Sequence, residues 1–270
     1  MAQPIRIAWQ SSKPIHNFPA YSRALQDHAR DIVAEGTTVE MRGVQFGPKT
    51  LDFRAFDFLN NFQLFESVVR AEREGFDAVA IGCFFDPVLD ELREVVDIPV
   101  LSFAETSMLT ACTLGRRFGI LTHAETMLAK YVEVLVERYG LEKRAGPMIN
   151  FELPFEQLEE AMSGRPEECL RLTREAGERA VAGGAEVIIL GCGLLNLVAM
   201  RNGLHEIAGA PILDASGCLM KSAEMMVTLR RVSKVKTSRV GLYAQPPRQM
   251  IEDVYKMYGL LQPAAKVKAA

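Results

Sequence analysis

Cysteine is scarce and unpaired in this chain: there are five, an odd number, and none forms a C-x-x-C arrangement. That argues against a disulfide framework or a zinc ribbon and reads as reduced thiols in a cytoplasmic protein. Histidine is rarer still. His16, His28, His123 and His205 stand far apart, so no metal-ligand spacing arises and no metal is expected. Positive charge is not in excess, because 31 Lys and Arg against 34 Asp and Glu give a net charge of −3. This leaves no electrostatic footprint for nucleic acid or an anionic membrane surface. The strongest apolar run, residues 187–195, is about half of the roughly 20 residues a membrane helix needs and is broken by glycine. The first ten residues lack the charged, apolar and small regions of a secretory leader. What the chain does have is 270 residues, 49% hydrophobic and 24% charged, enough to build a sizeable core.

Short β-rich runs alternate with amphipathic segments from end to end. Residues 5–9 read as a strand, 18–35 as a helix closed by Gly36, and 39–44 as a strand. A helix is expected from about residue 61 to 74, with Gly75 as its left-handed stop. The run DAVAIG at residues 77–82 is continuously apolar after its first residue, the mark of a strand buried on both faces of a parallel sheet. Asp86-Pro87 then predicts a helix over 88–96, with Asp as N-cap and Pro at the first helical position, and residues 98–102 give the next strand. The fold class is α/β with mostly parallel sheets.

This series occurs twice. IRIAW at residues 5–9 is matched by FGILT at 118–122, DAVAIGC at 77–83 by AEVIILGC at 185–192, and IPVL at 98–101 by APIL at 210–213. The offsets are 113, 109 and 112 residues (120 − 7, 192 − 83, 211 − 99). A nearly constant offset over three elements predicts two pseudo-symmetric α/β domains rather than a short-period solenoid. The expected lobes are residues 1–113 with 215–270, and 114–214. The tail after residue 261 is expected to fray.

Sites in open α/β sheets form at the carboxyl ends of strands. Cys83 and Cys192 both stand there, each directly after a glycine and each at the end of a matching strand. Buried cysteines are ordinarily small apolar fillers, which is how Cys112, Cys169 and Cys218 are read. A pair at matching strand ends is better explained as two thiols facing one cleft. That geometry suits a two-base racemase: one thiolate removes a proton from a stereocentre while the opposite thiol delivers one to the other face. Such chemistry needs no cofactor, only donors for an enolate-like intermediate. The Phe84 and Gly193 amides and the hydroxyls of Ser11, Ser12 and Thr122 are the candidates, and His123, next to Thr122, is a candidate to bind substrate or orient Cys192.

Several of these stretches resemble the aspartate/glutamate/hydantoin racemase superfamily: GCFFDP at 82–87, IPVLSFAET at 98–106, RRFGILT at 116–122 and ILGCG at 189–193, with TSRVGLYAQPP at 237–247 similar to the C-terminal end of the hydantoin and allantoin racemase branch. The resemblance covers most of the chain. It implies two α/β domains, an active site between them, Cys83 and Cys192 as the catalytic pair, no cofactor, a small-molecule substrate and a homo-oligomer. There are departures. Trp9-Gln10-Ser11-Ser12 replaces the Asn-Pro-Asn-Thr run of hydantoin racemases, and Gly193-Leu194-Leu195-Asn196 follows the second cysteine in place of Ala-Gly-Met. The latter is similar to arylmalonate decarboxylases, so the alternative is a lyase or cis–trans isomerase working mainly through Cys192; those decarboxylases keep only the second cysteine, whereas this chain keeps both. Trp9, Phe84 and Phe85 offer an apolar wall for a substituent on a hydantoin. Glu105 is either a hydrogen-bonding group for a ring nitrogen or a helix cap. The basic run at 230–239 reads as a solvated helix end and turn, and Gly183-Gly184 as a helix stop rather than part of a dinucleotide fingerprint.

Overall fold

The computed structural model describes residues 3–48, 51, 53–123 and 126–261. In chain order the first half runs β1 (Ile5–Ser11), α1 (Pro19–Ile32), β2 (Thr37–Gly43), α2 (Arg54–Arg73), β3 (Ala78–Ile81), α3 (Leu89–Val95), β4 (Val100–Ser102) and α4 (Phe103–Leu114). It continues with β5 (Phe118–Thr122), α5 (Thr126–Arg138), β6 (Ala145–Asn150), α6 (Phe155–Met162), α7 (Glu167–Ala182), β7 (Val187–Leu190) and α8 (Gly193–Arg201). A short antiparallel pair, β8 (Glu206–Ile207) and β9 (Ala210–Pro211), then leads to α9 (Ala215–Ser233) and α10 (Arg248–Met257).

The first sheet is parallel with order β2-β1-β3-β4, and the second is parallel with order β6-β5-β7. In the first sheet Val79 pairs with Val100; in the second, Ile188 bridges in parallel to Ile212, which takes the place of a fourth strand. One strand order is therefore built twice. The helix stops repeat as well. Gly75 and Gly184 both have positive φ, and in each copy the next amide reaches back five residues, Phe76 to Ala71 and Ala185 to Ala180. A side chain at either glycine would meet the steric cost of the left-handed region. Every residue of β3 and of β7 is buried, as strands covered on both faces require. One apolar cluster draws on both sheets, including Ile7 and Ala80 from the first and Ile120 and Ile189 from the second. Helix α9 packs on β1, β3 and β4 and against α4, and α10 sits on α2 through the Tyr255–Phe65 ring contact and the Arg73–Glu252 ion pair.

Three local expectations are corrected. Helix α2 begins at Arg54, earlier than residue 61, because its first turns leave Phe56, Phe58, Leu59 and Phe62 exposed and so show no one-sided apolar period. The basic run is not simply solvated. Arg231 donates to the carbonyls of Gln3 and Pro4 and to Asp77, while Arg239 donates to the carbonyls of Arg93 and Val96 and to Asp97.

The third correction concerns Asp86, which does not cap α3. Asp86 and Val88 both occupy the left-handed region, φ 44° and 48°, and α3 starts only at Leu89. The turn carries the buried Asp86 carboxylate to the start of α4, where it accepts the amides of Ala104 and Glu105 at 2.8 Å each, and Tyr139 donates its hydroxyl to the same group. Ser102, the N-cap residue of α4, makes no side-chain cap, so Asp86 supplies one from a distance. Burial pushes its carboxyl up to about 6 despite these bonds. Asp86→Ala leaves two helix amides and a phenol without their acceptor; urea unfolding is expected to show a loss of about 2–4 kcal/mol. A change under about 0.5 kcal/mol would contradict this capping role.

Candidate active site

The two Gly-Cys pairs are built by the same local rule. A Cβ on Gly82 would lie 2.4 Å from Trp9 Nε1, and one on Gly191 would lie 3.0 Å from Thr122 Cγ2 and 3.2 Å from the Leu121 carbonyl. In each copy the neighbouring strand leans across the glycine, so only the residue after it can carry a side chain. The ladders also correct the alignment of β1 with β5. Ile7 stands opposite Ala78 and Phe118 opposite Val187, which matches the two strands at an offset of 111 (118 − 7) instead of 113. Ser11 thus corresponds to Thr122, and Ser12 to His123.

That correspondence sets the chemistry of the two half-buried thiols. Burial pushes the Cys83 thiol up to about 12; the Ser12 hydroxyl and the Phe85 amide act against this, and the carboxylates of Asp57 and Asp86 add to it. Ser12 Oγ is buried with no conventional hydrogen-bond partner, and the thiol is the group it serves. At Cys192 burial also raises the thiol, but the charge and hydrogen bond of His123, with the Leu195 and Leu194 amides, bring it below the ordinary value. Cys192 is the N-cap residue of α8, where unsatisfied helix amides favour an anion. Equivalent positions carrying serine in one copy and histidine in the other thus hold one sulphur as thiol and bias the other toward thiolate.

The two cysteine-bearing segments meet. A Cβ on Gly193 would lie 3.5 Å from Tyr21 Oη and 3.7 Å from the Gly82 carbonyl, so the residue after one cysteine approaches the residue before the other. Tyr21, buried on α1, feels the charge of both thiols. Among the other expected residues, Ser11 Oγ accepts the Lys13 amide at 3.0 Å and the Thr122 hydroxyl donates to Asn150 Oδ1 at 2.9 Å. The Trp9 and Phe84 rings are core, each edge-on to Phe103, which leaves Phe85, packed against Tyr131, as the less buried aromatic of the three. Glu105 is held by Arg93 in a two-pronged ion pair. Burial pushes both Cys169 and Cys218 up to about 11.

Residues outside the sequence reading also face this region. On α2, Asn61 Nδ2 donates to Asp57 Oδ2 at 3.0 Å, while Asp57 Oδ1 and Asn61 Oδ1 are buried without partners. The i, i+4 spacing of this pair is visible in the chain, but Asp57 precedes the start at about residue 61 that the sequence predicts for this helix. Tyr21 carries no distinguishing signal, since it sits on the apolar face of α1 beside Ala24 and Leu25. Among the described residues no group of three His, Cys, Asp or Glu side chains is placed to hold a metal ion, and no helix is long and apolar enough to cross a membrane.

The sequence matches the family described as Asp/Glu/Hydantoin racemase over residues 19–223. Among curated proteins it is 29% identical over 257 residues to a hydantoin racemase of Pseudomonas sp. (strain NS671), covering 92% of this chain and 95% of that one. It is 30% identical over 235 residues to a hydantoin racemase of Paenarthrobacter aurescens, covering 84% and 92%. Among solved structures, an allantoin racemase from Klebsiella pneumoniae shares the fold, with a TM-score of 0.78, 24% identity, and coverage of 90% of this chain and 94% of that one.

Proposed function

Because the chain belongs to the Asp/Glu/hydantoin racemase family and is an isomerase of the racemase kind, we propose that it inverts a carbon acid by passing a proton between Cys83 and Cys192, without a cofactor. The proposed substrate is a 5-substituted hydantoin or allantoin, bound between the lobes 1–113 with 215–270 and 114–214. The observation that carries the reading is geometric: two half-buried thiols stand at matching strand ends, the segments that bear them meet, and their surroundings shift the two in opposite directions. Two-base inversion needs one sulphur without a proton and one with it at the same moment.

In the forward step the Cys192 thiolate takes the proton from the stereocentre. The carbanion's electron pair moves onto the adjacent carbonyl oxygen, and the Cys83 thiol protonates the carbon from the opposite face. Afterwards Cys192 holds the proton and Cys83 the charge, the state from which the other enantiomer reacts. The amides of Phe84 and Gly193 and the hydroxyls of Ser11 and Ser12 are assigned to hold the planar intermediate, and His123 to set the charge of Cys192; Thr122, whose hydroxyl proton goes to Asn150, is not among these donors. The unpartnered oxygens of Asp57 and Asn61 near Cys83 accept hydrogen bonds, which suits the ring N–H groups of a hydantoin and not a free carboxylate.

Proton exchange in D₂O tests this directly. Each pure enantiomer of 5-alkyl and 5-aryl hydantoins, allantoin, aspartate and glutamate is incubated with protein and, because hydantoins racemise slowly unaided, with buffer alone. Enzyme-dependent deuterium at the stereocentre with loss of optical rotation is expected for the ring or ureide substrates. Absence of exchange across the panel, with turnover of an arylmalonate or maleate instead, would replace racemisation by the lyase or cis–trans isomerase chemistry.

A further inference from the structure

Two polar groups in the site have no place in the proton transfer just described. One is the indole N–H of Trp9, buried at the end of β1 with no hydrogen bond of normal geometry, its nitrogen pressed against the space above Gly82. The other is the hydroxyl of Tyr21, which reaches in from α1 to the place where the Gly82 and Gly193 segments meet. The group within reach of the Trp9 N–H is the Tyr21 hydroxyl.

We infer that the Tyr21 hydroxyl, backed by the Trp9 indole N–H, is the donor that stabilises the enolate oxygen of the planar intermediate between the two thiols. The inference rests on the two-thiol reading above. An indole nitrogen only donates, so the tyrosine oxygen serves Trp9 as acceptor and its own proton is left for a ligand. Burial and the negative charge of either thiolate oppose loss of that proton. The phenol therefore stays neutral and donates, and does not compete with the sulphurs as a base. Its position is also the one a shared donor needs. The enolate is common to both directions of the reaction, and the hydroxyl stands where the segments bearing the two thiols meet, within reach of both.

The test is Tyr21→Phe, assayed from both enantiomers of a hydantoin that the wild-type protein racemises. Loss of a preorganised oxyanion donor is expected to lower kcat by about 10²–10³-fold. The loss should be the same from either enantiomer, with KM changed only a few-fold and deuterium exchange slowed to the same degree. A merely structural role would instead lower the melting temperature or disturb one thiol more than the other, giving unequal exchange. Should the phenylalanine variant not fold, Trp9→Phe reads the same chain from behind: a loss of about tenfold in kcat with KM changed only a few-fold supports the inference, and an unchanged kcat overturns it. If wild-type protein exchanges protons and Tyr21→Phe keeps its kcat within about twofold, the inference fails while the two-thiol reading stands. If wild-type protein shows no exchange, that reading fails and takes this inference with it.

Discussion

Alanine at either Cys83 or Cys192 is expected to reduce racemisation by about 10²–10⁴-fold, the range over which positioned acid–base groups act. The two variants should nevertheless differ in exchange. With Cys83 removed, Cys192 keeps its His123 partner and the α8 amides. It still abstracts and returns a proton on its own face, so one enantiomer exchanges with solvent at neutral pH without inverting. With Cys192 removed, the remaining thiol is the one that burial pushes up to about 12. Exchange from the opposite enantiomer should then be faint at neutral pH and grow as the pH is raised. The measurement is deuterium incorporation from each enantiomer alongside optical rotation. A Cys83→Ala variant that loses little activity would point to Cys192 working alone, as a lyase or cis–trans isomerase would use it. Full racemase activity in both single variants would remove the thiols from the mechanism.

The strand ends bearing these cysteines were legible in the sequence because burial on both faces leaves a plain trace. Residues 78–81 and 187–190 are unbroken apolar runs, each followed by Gly-Cys, and the stops at Gly75 and Gly184 repeat with them. Finer relations were not legible, for physical reasons. IRIAW and FGILT align by apolar character at 113, whereas the hydrogen-bond register decides on 111. That slip of two hides the correspondence of Ser12 with His123, on which the difference between the thiols depends. Asp86-Pro87 has the chemistry of a helix start, and only the left-handed turn through Asp86 and Val88 shows that it caps α4. Tyr21 has the spacing of a core residue and is buried like one. Its hydroxyl gains meaning only from two segments distant in the chain.

The Ser12–His123 correspondence leads to the second large effect, in the pH profile. Turnover requires a proton absent from one sulphur and present on the other. Activity should therefore rise with pH as Cys192 ionises below the ordinary thiol range, and fall only near 12, where Cys83 loses its proton. Both directions must share this profile, because enantiomers are equal in free energy and the two singly protonated states of the pair titrate together. His123→Gln keeps a hydrogen-bond donor beside Cys192 but removes the charge. Burial then acts with less opposition, the acidic limb moves to higher pH, and kcat/KM at neutral pH falls by about tenfold or more. The basic limb, set by Cys83 among Ser12, Asp57 and Asp86, should stay where it is. Profiles of kcat/KM against pH for the wild-type and His123→Gln proteins test both halves of the argument. An acidic limb unmoved in His123→Gln would show that the helix amides alone set Cys192, and that the histidine acts on something other than the thiol.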